Sequence, residues 1–152
     1  MYHPLTELFQ NSRVLPCVFC GWFAAQALKV LITFLLEKKL DWHLFFSAGG
    51  MPSSHTSMVI SLAIMVGAVE GWNTPLFAAC VTMACVVMYD ATGVRRETGK
   101  QGEAINKILR SVIVDGEQIT DDNLKEIVGH KPIEVLGGFI VGVIVAVLFL
   151  IF

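Results

Sequence analysis

Long apolar stretches dominate this chain, and the two longest are too extended to lie inside a soluble domain of this size. Residues 14–36 form a run interrupted only by Gln26, Lys29 and Thr33, and residues 133–152 form a second run whose one charged residue is Glu134. At ~1.5 Å per residue, a helix of either length can cross the ~30 Å hydrocarbon core of a bilayer. The chain is therefore predicted to be an integral membrane protein.

Two shorter apolar runs lie between them, at 53–69 and 75–89. Each begins with a helix-start signature, because Pro52 and Pro75 suit a first helical turn and Thr74 can cap the second run. Both runs are at the short end of what a spanning helix needs, so a re-entrant hairpin is an alternative to two full spans. We favour full spans, which predict an all-α polytopic bundle of about four transmembrane helices in one membrane domain, residues 1–152.

The polar segment 90–131 separates the third span from the fourth. With a formal net charge of −2, the chain offers no basic surface for nucleic acid, so membrane lipids are its expected surroundings. Within the segment, apolar residues recur at helical spacing opposite charged ones, which is typical of an amphipathic helix lying on a bilayer surface. These apolar residues are Ile105, Ile108, Leu109, Val112 and Ile113.

Basic residues are unevenly distributed about the predicted spans. Four spans put both termini on one side and both polar loops on the other. Because basic loops stay in the cytoplasm, the loops and any site on them are predicted to face the cytoplasm, at the plasma membrane if the protein is bacterial. Arg13 is nearly alone on the other side, and the loop side holds Lys38, Lys39, Arg95, Arg96, Lys100, Lys107, Arg110, Lys125 and Lys131.

Polar side chains also occur within or beside the first two spans. Lys29 falls about two turns inside the loop-side end of the first span, where an unpaired ammonium is costly and an anion is its expected partner; snorkelling to the surface is the alternative. The glycine turn at 49–50 leads into Ser53, Ser54 and His55 at a helix start, where free N–H groups favour a phosphate. A plain helix cap beside a structural histidine is the alternative there.

Two further polar groups flank the long loop. Asp90 precedes Arg95 and Arg96, and adjacent arginines can clamp a phosphate with bidentate hydrogen bonds while Asp90 orients one of them; arginines at a helix end can equally be topology signals. His130 and Glu134 are four residues apart, so a helical turn that starts at His130 would let the carboxylate fix the imidazole tautomer. A solvated histidine–glutamate pair is the alternative.

Three of these segments carry a family resemblance. The runs Gly-Gly-Met-Pro-Ser-Ser-His at 49–55, Tyr-Asp-Ala-Thr-Gly-Val-Arg-Arg at 89–96 and Gly-His-Lys-Pro-Ile-Glu-Val at 129–135 resemble the hallmarks of the divergent branch of the type 2 phosphatidic acid phosphatase superfamily. Its members are also described as related to acid phosphatases and vanadium-dependent haloperoxidases. The resemblance covers nearly the whole chain.

The superfamily pattern is Lys-x6-Arg-Pro, then Pro-Ser-Gly-His, then Ser-Arg-x5-His-x3-Asp. Residues 52–55 match the second motif with serine in place of glycine, and His130-x3-Glu134 matches the end of the third with glutamate in place of aspartate. Lys29 corresponds to the lysine of the first motif.

The two motif arginines are missing. Leu36 stands seven residues after Lys29, and Leu124 stands six residues before His130, where the pattern has arginine. We expect Arg95 and Arg96 to supply the missing guanidinium groups.

The resemblance implies a lipid phosphate phosphatase acting on phosphatidate-like or isoprenoid phosphates or pyrophosphates, with no metal or other cofactor. His130 would attack phosphorus to give a phosphohistidine, Glu134 would orient His130, and His55 would protonate the leaving oxygen and later activate water. The phosphate oxygens would be held by Lys29, Ser53, Ser54, Arg95 and Arg96.

Two other functions remain open. Asp90, Glu97 and Glu103 beside the two arginines are ligands suited to Mg²⁺, as in a phosphoalcohol transferase. The missing motif arginines instead suggest a non-catalytic protein that binds lipid phosphates. Gly138 and Gly142, four residues apart, favour close helix packing, either within one chain or across a homo-oligomer.

Overall fold

The computed structural model describes residues 13–38, 42–46, 49–93, 97, 99, 101–102, 104–105 and 131–152. Within these residues the chain is helical and contains no strand, which confirms the predicted all-α class. Among the described residues, three helices are long and apolar enough to cross a membrane, and Ser54–Glu70 is a shorter apolar helix. Of the predicted interfacial helix, only Ile105 lies among the described residues. The four main helices are α1 (Val14–Glu37), α2 (Ser54–Glu70), α3 (Pro75–Thr92) and α4 (Pro132–Ile151).

Side-chain caps set the starts of α2 and α3. The Ser53 hydroxyl accepts a hydrogen bond from the Thr56 N–H at 3.4 Å, and the Thr74 hydroxyl accepts one from the N–H of Phe77 at 3.2 Å. Each satisfies an N–H that the first turn of a helix leaves without a partner. Pro52 therefore precedes the cap of α2 and does not occupy its first turn as predicted, because the helix begins only at Ser54.

The central helix of the bundle is α2, which packs against α1, α3 and α4. It lies antiparallel to α1, since Met65 near its end clusters with Cys17 near the start of α1. It lies parallel to α4, where two glycines bring the backbones together: a Cβ on Gly142 would lie 2.7 Å from the Ser57 carbonyl oxygen, and one on Gly138 would overlap the Ser53 carbonyl. The glycine pair therefore packs within the chain.

The two ends of the bundle differ in the elements they bring together. Arg13 donates a hydrogen bond from Nη1 to the Phe149 carbonyl at 3.2 Å, so α1 starts where α4 finishes; we call this the terminal end. At the opposite end, the Ser53 N–H donates to the Glu134 carbonyl at 2.9 Å, which joins the first turns of α2 and α4. We call this the loop end.

The connection from α1 to α2 runs back along α1. The 3₁₀ turn Trp42–Phe46 brings the ring of Phe45 to 5.7 Å from the rings of Trp22 and Phe23, which lie about 21 Å below the last residue of α1. Gly50 then packs against the stem of Lys29 in a left-handed conformation, φ +95°. The first turn of α2 consequently starts well inside the bundle, on the terminal-end side of the last residue of α1.

Candidate functional site

Lys29 is enclosed by the protein, with 1% of its surface exposed. It lies eight residues before Glu37, the last residue of α1, which is about 12 Å along the helix axis. Gly50 makes room for it, since a Cβ at that position would lie 3.3 Å from Cδ of the lysine. The side chain therefore lies inside the bundle and does not extend to the surface, as snorkelling would require. It takes part in polar interactions there, including an electrostatic attraction to Glu134.

Ser53 and Ser54 begin α2 at the same level and are buried, with 0% and 2% of their surfaces exposed. The Ser53 oxygen accepts hydrogen bonds from the Thr56 N–H and, at 3.1 Å, from the Thr56 hydroxyl. A hydroxyl oxygen that accepts two hydrogen bonds still has its own proton to donate. Together with the positive end of the α2 dipole, this arrangement favours an anion at the first turn of α2.

Glu134 lies in the first turn of α4 and caps that helix. Its Oε2 accepts a hydrogen bond from the Lys131 N–H at 3.1 Å, and its own N–H donates to the Lys131 carbonyl at 2.8 Å. α4 begins at Pro132, so the helical turn from His130 on which the proposed contact with Glu134 is conditional would need Lys131 in a helical conformation, which it does not adopt. The residue before a proline is sterically excluded from the helical region, and Lys131 is accordingly extended, with φ −67° and ψ 148°.

The other predicted site residues either lie apart from this group or fall outside the described residues. His55 lies in the first turn of α2 but is exposed, unlike the buried serines beside it, and Asp90 is half-buried in the last turn of α3; both take part in further interactions. His130, Arg95 and Arg96 lie outside the described residues. The structure thus brings Lys29, Ser53, Ser54 and Glu134 together at the loop end and leaves His55 on the outside of that group.

Sequence reasoning missed a row of buried serines on α2. Ser57 donates a hydrogen bond to the Gly21 carbonyl of α1 at 2.8 Å, and Ser61 donates to the Met58 carbonyl within its own helix at 3.0 Å. Both serines are 0% exposed. The signal was present, since Ser53, Ser57 and Ser61 are four residues apart and share one face of the helix. The row continues the polar character of the loop end toward the middle of the bundle.

Gln26 was also missed as a site residue, because in the sequence it only interrupts an apolar run. It is 3% exposed, and its Oε1 has no hydrogen-bond partner within the described part of the chain.

Comparisons with known proteins support the membrane assignment and give the family. Residues 9–145 match the sequence profile of the Divergent PAP2 family. The chain is 38% identical over 148 residues to the uncharacterized membrane protein YuiD of Bacillus subtilis (strain 168), covering 91% of this chain and 93% of that protein. No solved structure matches. With three helices in its described residues that are apolar enough to span a bilayer, this is an integral membrane protein, and it belongs to the Divergent PAP2 family.

Proposed function

We propose that this protein is a membrane phosphatase that hydrolyses a lipid phosphate or pyrophosphate. The observation that carries the proposal is the enclosed Lys29 ammonium, whose stem packs against Gly50 just before α2 and which is attracted to Glu134 in the first turn of α4. Ionisable groups inside membrane bundles are costly and mark functional sites. The ammonium and the positive end of the α2 dipole are both groups that can bind a substrate phosphate.

The reaction proceeds in two displacements at phosphorus. An imidazole nitrogen of His130 attacks in line, so that a nitrogen–phosphorus bond forms as the bond to the leaving oxygen breaks, and His55 gives that oxygen a proton. Water then attacks the phosphohistidine, His55 takes up a proton from it, and inorganic phosphate leaves with His130 restored. The exposed position of His55 suits this role, because an acid that turns over must exchange its proton with solvent.

The other predicted residues stabilise charge. Ser53, Ser54 and Lys29 hold phosphate oxygens from the first turn of α2 and from α1. Arg95 and Arg96 complete the clamp from the segment after α3, with Asp90 orienting one of them, in place of the two motif arginines that this chain lacks. Glu134, in the first turn of α4, orients His130, which precedes the first residue of that helix. The scheme requires no metal.

The substrate is expected to be a lipid. A site at one end of a membrane bundle is reached most easily by a head group that is already anchored in the bilayer, which favours phosphatidate-like and isoprenoid phosphates over soluble ones.

Turnover by the purified full-length protein on a panel of such lipids tests the proposal. Phosphate release should occur in excess chelator and should be lost in the His130→Ala variant prepared in the same way. Release that stops in chelator favours the Mg²⁺-dependent transferase, whose candidate ligands Asp90 and Glu97 are described and whose Glu103 is not. Binding of the panel without turnover favours the non-catalytic alternative.

We further propose that the site faces the cytoplasm, because the sequence places nine basic residues on the predicted loop side of the spans and loops of this length obey the positive-inside rule. The test uses single cysteines at Asp115 and Tyr2, probed in intact cells with an impermeant thiol reagent. Labelling at position 2 alone is the expected result, and labelling at position 115 alone reverses the orientation. The background replaces the native thiols, which are Cys17, Cys20, Cys80 and Cys85.

A further inference from the structure

Gln26 is a buried polar side chain that the proposed reaction does not use. It is 3% exposed, and within the described residues its amide oxygen Oε1 accepts no hydrogen bond. A buried amide oxygen without a donor is unfavourable, so native structures rarely keep one unless water, an ion or a ligand supplies the partner. The side chain therefore indicates a hydrogen-bond donor that the described part of the protein does not provide.

Gln26 shares its side of α1 with Lys29. The two residues are three apart, which places them about one turn from each other along the axis and about 60° apart around it. On the turn before Gln26, Trp22 and Phe23 contact Phe45, and on the turn after it Lys29 contacts Gly50. The described residues between α1 and α2 thus touch α1 one turn before Gln26 and one turn after it.

An acceptor beside a cation selects a particular kind of anion. The ammonium attracts any anion, but the amide oxygen can bond only to one that still carries a proton. Inorganic phosphate near neutral pH and the monoanion of a phosphomonoester both keep a P–O–H group. Sulfate and phosphodiesters are fully ionised under the same conditions, and would leave the amide oxygen facing a second oxygen with no hydrogen between them.

We propose that Gln26 is a specificity-determining residue of the phosphate site, where its Oε1 accepts a hydrogen bond from the protonated oxygen of a terminal phosphate while Lys29 holds an ionised oxygen of the same group. The inference rests on the proposed phosphatase function and narrows its substrates to lipids with a terminal phosphate, against lipid sulfates and phosphodiesters.

The test compares two anions on the same purified full-length protein. Binding of radiolabelled inorganic phosphate in detergent at pH 7 is measured by equilibrium dialysis, and sulfate is measured by displacement. The wild type should prefer phosphate by about tenfold, the value of one hydrogen bond to a charged partner. In Gln26→Met that preference should fall at least about tenfold, with the affinity for sulfate retained. Lys29→Met serves as the matched control and should weaken the binding of both anions.

The ratio of the two affinities decides the outcome. Partial unfolding lowers the binding of both anions alike and leaves the ratio unchanged, so a structural role for Gln26 cannot imitate the expected result. A phosphate preference that persists in both Gln26→Met and Gln26→Leu overturns the inference and leaves the phosphate site standing. A wild type that binds neither anion removes the proposed site itself. Gln26→Met should also melt no lower than the wild type, because the substitution removes an unpaired buried oxygen.

Discussion

The two ends of the bundle differ in the kinds of residue that are buried there. At the terminal end, Cys17, Met65, Val145 and Ala146 form an apolar cluster in which no member exceeds 9% exposure. At the loop end, several polar residues are buried just as deeply, and Lys29 is among them. Apolar side chains gain little free energy when they exchange lipid neighbours for protein neighbours, so close van der Waals packing stabilises the terminal end. The loop end keeps a costly charge, which indicates chemistry.

The largest predicted effect is at the histidines. His130→Ala should abolish phosphate release, because it removes the nucleophile, and His55→Ala should slow release severely, because it removes the proton donor. Radiolabelled substrate should mark His130 in the wild type after acid-free quenching. Val145→Ala at the terminal end is the control and should keep its turnover per folded molecule. Near-normal turnover in both histidine variants would contradict the phosphohistidine scheme. It would also leave no catalytic role that distinguishes the loop end from the terminal end.

Lys29→Met should come next. Replacing the ammonium by an apolar side chain of similar length should lower kcat/KM by about 10²- to 10³-fold, since a charged group that stabilises the transition state is lost. Thermal unfolding in detergent should occur at a somewhat lower temperature, because the partners of the buried ammonium, Glu134 among them, lose its charge. A large drop in melting temperature with unchanged turnover of the folded fraction would instead make Lys29 a structural residue.

Arg95→Ala and Arg96→Ala should have unequal effects. Only the arginine that contacts the phosphate loses transition-state binding, and removing such a donor typically costs about 10²-fold in rate. Arg96→Ala is expected to be the more damaging. The measurement is kcat/KM for both variants on the same lipid. Equal and mild losses would make the pair topology determinants, and the loop end would then need another source for its phosphate clamp.

The smallest effect concerns the contact between α2 and α4, which supports the loop end. Gly138→Ala places a methyl group 2.9 Å from Cβ of Thr56 and against the Ser53 carbonyl, so the helices must separate. We expect a loss of about 1–3 kcal/mol in unfolding free energy, as for other overpacked sites. Gly137→Ala is the matched control, because its methyl group would meet Pro52 at 3.3 Å, which requires only a small adjustment. Equal melting temperatures for the two variants would contradict this packing.

The sequence predicted the helices well because the forces that define them are local. Proline at the first turn, a hydroxyl cap such as Thr74 and an uninterrupted apolar run each act within a few residues, and α3 starts where those signals put it. Pro52 was expected in the first turn of α2 but precedes its cap, because the Ser53 hydroxyl sets the start of that helix at Ser54.

The candidate site was predictable only where a motif marked it. Lys29, Ser53 and Ser54 were named from charge and motif position, but nothing in the sequence showed that the chain after α1 turns back to cover Lys29. That return depends on contacts between Phe45 and α1 that are distant in sequence. Gln26 and Ser57 escaped notice because a single polar residue in an apolar run has no partner that can be named until the helices are packed.

The difference in length between α1 and α2 affects how the protein fits bilayers of different thickness. The 24 residues of α1 extend about 36 Å, whereas the 17 residues of α2 extend about 25 Å and begin at the level of Lys29. A thick bilayer that matches α1 would cover the first turn of α2 with acyl chains, and a thin one would bring its phosphate groups to that level, at a cost of fractions of a kcal/mol per ångström. The two neighbouring helices thus make access to Lys29 depend on the acyl-chain length of the host membrane.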